Sequence, residues 1–112
     1  MKKIFGLVGL AGLVCGSALA QNVENGKKIF LRDGCYQCHG YAGQGSIAGA
    51  RLGPPVLTAD GMIRYIRKPA GAMPAFGEAV LSDQEIRDIY AYMKTMPAPK
   101  PSKDIPLLNQ MR

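Results

Sequence analysis

The chain has no tryptophan, one histidine, three phenylalanines and three cysteines in 112 residues, and eight acids against fourteen Lys+Arg. Few large side chains mean a small core, and a domain this short buries a modest share of its unfolded surface. Something besides side chains is expected to help fill it. The length excludes a barrel enzyme or a two-domain dinucleotide enzyme, which need roughly 200 residues or more. There is no glycine period of three and no sustained heptad, which excludes a collagen-like chain and a coiled coil. Alternating apolar residues are missing too, so no strand is expected, and the organisation reads as short helices between Gly- and Pro-rich loops.

The one long apolar run, Ile4 to Val14, is broken by Gly6, Gly9 and Gly12, and a bilayer span takes about 17 residues at minimum. With Lys2 and Lys3 before it and Ala18-Leu19-Ala20 after it, residues 1–20 read as a signal peptide cleaved after Ala20. Without Lys2 and Lys3 the 14 basic residues fall to 12 against 8 acids, so the mature chain is mildly basic at +4. Cys15 leaves with the leader. Cys35 and Cys38 remain, in an exported protein where free thiols do not persist.

A first helix is predicted from about Val23 to Asp33, with Asn22 as its N-cap and Gly34 at the left-handed position beyond its end. Gly26 inside it costs about 1 kcal/mol relative to Ala, which predicts close approach by another helix. From Gly40 to Pro55 the chain is a glycine-rich loop. It lacks the Gly-Lys-Ser/Thr of a phosphate cradle and reads as backbone wrapping something. Thr58 caps a second helix, about Ala59 to Lys68, with Met62, Ile63 and Ile66 inward. Ser82-Asp83-Gln84-Glu85 is a capping box opening a third, continued by Ile86, Ile89, Tyr90 and Met93 to about Thr95. Pro97, Pro99, Pro101 and Pro106 make residues 97–112 a flexible, extended tail after a domain of residues 21–96.

The chemistry lies in Cys35-Tyr36-Gln37-Cys38-His39. A C-x-x-C-H run places two thiols to add across the vinyl groups of a haem and brings the adjacent imidazole over the iron. Structural zinc wants four ligands and finds two Cys and one His. A redox dithiol wants a βαβ context, which is absent. A plain disulfide would leave the single histidine beside it by chance.

On these residues the chain resembles a monohaem class I cytochrome c, over about Val23 to Met96. Gly26 and Phe30 match the family's small-aromatic pair on the first helix, and Ile89 and Tyr92 match the residues of the last helix that cross it. The resemblance implies an all-α fold of three to four short helices around one covalent haem c, with thioethers at Cys35 and Cys38 and His39 as proximal ligand. Gly53-Pro54 matches the family's Gly-Pro, which implies that the Pro54 carbonyl accepts the ring N–H of His39. The tryptophan that mitochondrial members place against a haem propionate is missing, and Tyr65 or an arginine is left for that role. The sixth ligand comes from Met62, Met73, Met93, Met96 and Met111. Met73 stands out: Pro74 stiffens its loop, and the segment resembles the family's Met-Pro ligand loop.

The implied function is one-electron transfer in the periplasm by a His/Met-ligated haem. It implies redox partners such as a dehydrogenase or oxidase with an acidic docking surface, no nucleic acid, and no stable membrane insertion after cleavage. No catalytic acid, base or substrate pocket is legible beyond the haem. Two alternatives stand beside this reading: a subunit docked on a dehydrogenase, and a haem protein whose labile sixth ligand admits small molecules.

Overall fold

A computed structural model describes residues 21–111; the leader expected over residues 1–20 lies outside them. Their elements are α1 (Val23–Arg32), α2 (Cys35–His39), α3 (Ala59–Arg67), α4 (Asp83–Met93), a 3-10 turn (Ser102–Asp104) and α5 (Pro106–Asn109). The fold is all-α, without a strand among the described residues.

Three of the starts are fixed by the caps expected from the sequence. The Asn22 side chain accepts the N–H of Asn25 at 3.0 Å, and Thr58 Oγ1 accepts that of Gly61 at 3.1 Å. At α4 the capping box is reciprocal: Ser82 Oγ takes the Glu85 N–H, and a Glu85 carboxylate oxygen takes the Ser82 N–H at 2.8 Å. Each such cap contributes about 1 kcal/mol. The helix ends fall one or two residues short of the predicted limits.

The C-x-x-C-H run forms a helical turn of its own. Gly34, at φ 72°, turns the backbone between α1 and α2 through a conformation that side-chain-bearing residues avoid. Gly26 is buried where α1 crosses α4: a Cβ there would overlap the Asp88 carbonyl and lie 2.8 Å from the Ile89 nitrogen. One turn on, the rings of Phe30 and Tyr92 meet edge to face, 5.5 Å apart at 69°. This is the crossing implied by Gly26, Phe30, Ile89 and Tyr92. Phe30, Leu81, Ile86 and Ile89 are fully buried in the resulting core, each contributing about 1.5–3 kcal/mol. Met62 and Ile66 attach the inner face of α3 to the same cluster.

The tail differs from the extended chain expected. Pro106, with its φ preset for a first helical turn, opens α5, and the Ile105 carbonyl accepts the N–H of Leu108 at 3.1 Å. Its apolar side chains Leu107, Leu108 and Met111 stay exposed.

Candidate haem site

Cys35 and Cys38 stand three residues apart on the single turn of α2, hence on one face. Both line a cavity of about 960 Å³, together with His39, Met62, Met73 and Met93. Both cysteines are free thiols, Cys35 half-buried and Cys38 exposed. Burial pushes the Cys35 thiol up to about 11, and the negative charge of Asp33 adds to the shift. At neutral pH the neutral thiol is the favoured form.

The His39 Nδ1 lies 2.6 Å from the Ala50 carbonyl. A carbonyl only accepts, so Nδ1 carries the proton and Nε2 keeps the lone pair for a metal. The carbonyl at the ring in this structure is that of Ala50, where the family resemblance implied Pro54. The cause is the path of the glycine loop. The Gly45 N–H donates to the His39 carbonyl at 2.8 Å and the Ser46 hydroxyl to the Cys38 carbonyl at 2.6 Å, drawing the loop back along α2. Gly49 then passes so close that a Cβ would lie 2.8 Å from the Cys38 oxygen and 3.0 Å from His39 Nδ1. Ala50 follows, and its carbonyl meets the ring nitrogen.

The methionines separate by environment. Met62 and Met93 line the cavity but are 8% and 4% exposed, committed to the core. Met96 is buried and does not line the cavity, and Met111 is exposed in the tail. Met73 lines the cavity from a loop and is half-buried. That loop is tethered at Phe76, whose N–H donates to the Ile66 carbonyl at 3.2 Å and whose carbonyl accepts from Arg67 Nη1 at 2.9 Å. Arg67 also pairs with Asp83, so one guanidinium fastens the loop to α4.

The lining fits a large, flat, apolar group with two attachment points. Ile47 and Val56 border the cavity almost fully exposed, at 108% and 96%. Aliphatic side chains held around a concavity with a few convergent polar groups are the usual setting of a bound cofactor. Tyr65 and Arg51 also line it, which keeps both available to propionates. Among the described residues no three His, Cys, Asp or Glu come together to hold a metal ion. The donor set of two thiols, one imidazole and a thioether fits haem and leaves a structural zinc without its fourth ligand.

Over residues 21–93 the chain matches the family described as cytochrome C oxidase, cbb3-type, subunit III. It is 34% identical over 95 residues to cytochrome c-555 of Methylococcus capsulatus (strain Bath), an alignment covering 76% of this chain and 77% of that one. The chain belongs to the monohaem class I cytochromes c. This cytochrome is an electron-transfer haem protein with one covalently bound haem c. No solved structure matches the chain.

Two features of the cytochrome were not read from its sequence. The Ala50 carbonyl is a backbone group, and only the run of glycines before it marks a close approach. The stack of Tyr36 on Tyr41, with ring centroids 4.4 Å apart, braces α2 against the start of the loop.

Proposed function

We propose that this cytochrome is a periplasmic one-electron carrier, with thioethers at Cys35 and Cys38 and with His39 and Met73 as axial ligands. The observation that carries the reading is that both thiols, the imidazole and Met73 line one cavity. Bound there, haem c supplies a one-electron iron couple in a water-poor setting. The hydrogen bond from His39 Nδ1 to Ala50 fixes the ring and strengthens it as a donor. The thioether of Met73, held by a loop tethered at Phe76, is a soft ligand that favours reduced iron and raises the potential. Ile47, Val56 and Ile66 give the cavity apolar walls.

The leader of residues 1–20 supports export, with cleavage after Ala20. Among the described residues no helix is long and apolar enough to cross a membrane. The partners are redox proteins of that compartment, a dehydrogenase or an oxidase. The family description, which names an oxidase subunit, favours one second reading: the cytochrome as a component docked on a membrane oxidase. Redox titration and ligand binding test the carrier reading. It expects a reversible one-electron couple and a ferrous protein that does not take up carbon monoxide. Rapid carbon monoxide uptake at neutral pH would instead support the labile sixth ligand, and stoichiometric co-purification with an oxidase would support the subunit reading.

A further inference from the structure

We infer that Met96 is a positioning residue for the proximal ligand, acting as the pin of a clasp that holds the Ala50 carbonyl on His39. The inference rests on the reading that His39 binds the iron.

Ala50 belongs to a loop closed at its neck by one carbonyl. Gly43 O accepts the N–H of Leu52 at 2.8 Å and that of Gly53 at 3.2 Å. Gly43 and Gly53 are both buried at this neck, and the Met96 side chain fills the space beside them. A Cβ at Gly43 would overlap the Met96 sulfur, and one at Gly53 would overlap the Met96 Cβ. Gly43 is also at φ 60°, where any side chain is strained. The two glycines therefore make a slot, and Met96, 5% exposed, occupies it. The segment is tied again from outside by Arg51, whose Nη1 donates to the Gly53 carbonyl at 3.0 Å and to the Pro97 carbonyl at 3.3 Å.

Met96 stands three residues beyond the last residue of α4, its N–H donating to the Met93 carbonyl at 3.1 Å. The clasp thus couples the end of the helix that builds the core to the loop that orients His39. Met96 does not line the cavity, whereas Met93 does. Its influence on the haem passes through the loop neck, and from Leu52 at the neck only Arg51 separates Ala50.

A shortened side chain at 96 loosens the neck and weakens the Nδ1–H to Ala50 bond. A weaker second bond makes the imidazole a poorer donor, which disfavours oxidised iron and raises the potential. A merely structural methionine would lower stability and leave the potential alone.

The test uses the intact holoprotein and its Met96→Leu, Met96→Val and Met96→Ala variants, with potentiometry and proton NMR of the ferric state. We expect the potential to rise in the order Leu, Val, Ala. Each tenfold gain in the ferrous-to-ferric ratio corresponds to about 59 mV. The His39 Nδ1–H should exchange faster with solvent in the same order, and Leu, which refills the slot, should restore both properties nearly to wild type. If Met96→Ala does not mature, Met96→Val carries the comparison. Potentials and exchange rates equal to wild type in variants of lowered stability would overturn the inference. Absence of a hyperfine-shifted His39 ring resonance from the wild type itself would instead overturn the assignment of His39 as ligand.

Discussion

The Asp88 carboxylate receives the backbone N–H of Asn22 at 2.9 Å, so an acid from the middle of α4 ties down the start of α1. Its other oxygen accepts from the Asn25 side chain at 2.8 Å, and Gln84 adds a third donor at 3.0 Å. A negative charge at a helix N-terminus is also favoured by the helix dipole. At the other end of α1, Arg32 bridges Asp33 and Glu85. The helix crossing is therefore fastened at both ends by polar contacts around an apolar middle.

Asp88 gives a pH signature. Burial alone would raise its carboxyl, but the bonds from Asn25, Asn22 and Gln84 outweigh it and hold it below the ordinary range. A folded-state pKa below the unfolded value of about 3.9 contributes stability above that pH and loses it as pH falls through the folded value. Asp88→Asn should cost about 1–3 kcal/mol at neutral pH, because it sets an amide N–H₂ among donors. Its stability should then fall less steeply on acidification below about pH 4. Urea midpoints of the holoprotein against pH check this, and parallel acid limbs in the two proteins would refute it.

Gly26→Ala tests the helix crossing. Alanine gains about 1 kcal/mol of intrinsic helix propensity, yet its methyl would overlap the Asp88 carbonyl. Overpacking against backbone costs about 1–3 kcal/mol or more. The variant should melt several degrees lower with the haem spectrum unchanged, as calorimetry and absorption will show. A higher melting temperature would mean that the two helices do not meet at this position.

Charge steering divides the arginines of α3. Arg64, and Lys68 just after the helix, are exposed and have no acidic partner among the described residues, whereas Arg67 is engaged by Asp83 and Phe76. Stopped-flow rates with an acidic redox partner should fall with salt, since the Debye length shrinks from about 30 Å at 0.01 M to about 10 Å at 0.1 M. Reversing Arg64 and Lys68 should flatten that dependence and leave stability within about 0.5 kcal/mol. Reversing Arg67 should loosen the Met73 loop. Equal salt dependence in all variants would point to apolar docking.

For the attachment, Cys35→Ala and Cys38→Ala should each leave one thioether or none. Covalent haem staining and thermal unfolding of the purified variants check this. Full staining with unchanged stability in both would contradict attachment through these thiols.

Much of this was legible because local signals agreed with one another. The capping residues Asn22, Thr58 and Ser82, the turn glycine Gly34 and the C-x-x-C-H run each act within a few residues, so spacing exposes them. Gly26 announced a close approach because a mid-helix glycine has no local reason. Asp88 carries no local mark that separates it from a surface acid, since only the crossing of α1 and α4 shows that it is buried. The Ala50 carbonyl and the Met96 clasp were illegible for a related reason. A backbone acceptor has no sequence signature, and Met96 gains its role from glycines more than forty residues earlier.

The measurement that bears most directly on His/Met ligation at this cavity is the near-infrared spectrum of the ferric holoprotein, where a thioether-to-iron band reports methionine ligation. Three methionines line the cavity, and one of them, Met73, lies on a tethered loop, half-buried against the core cluster and not within it. The band is expected in the wild type, in Met62→Leu and in Met93→Leu. In Met73→Ala the band should be lost, the iron should become high-spin or open to added imidazole, and the potential should fall. A band that survives in Met73→Ala and disappears in Met62→Leu or Met93→Leu would contradict ligation by Met73.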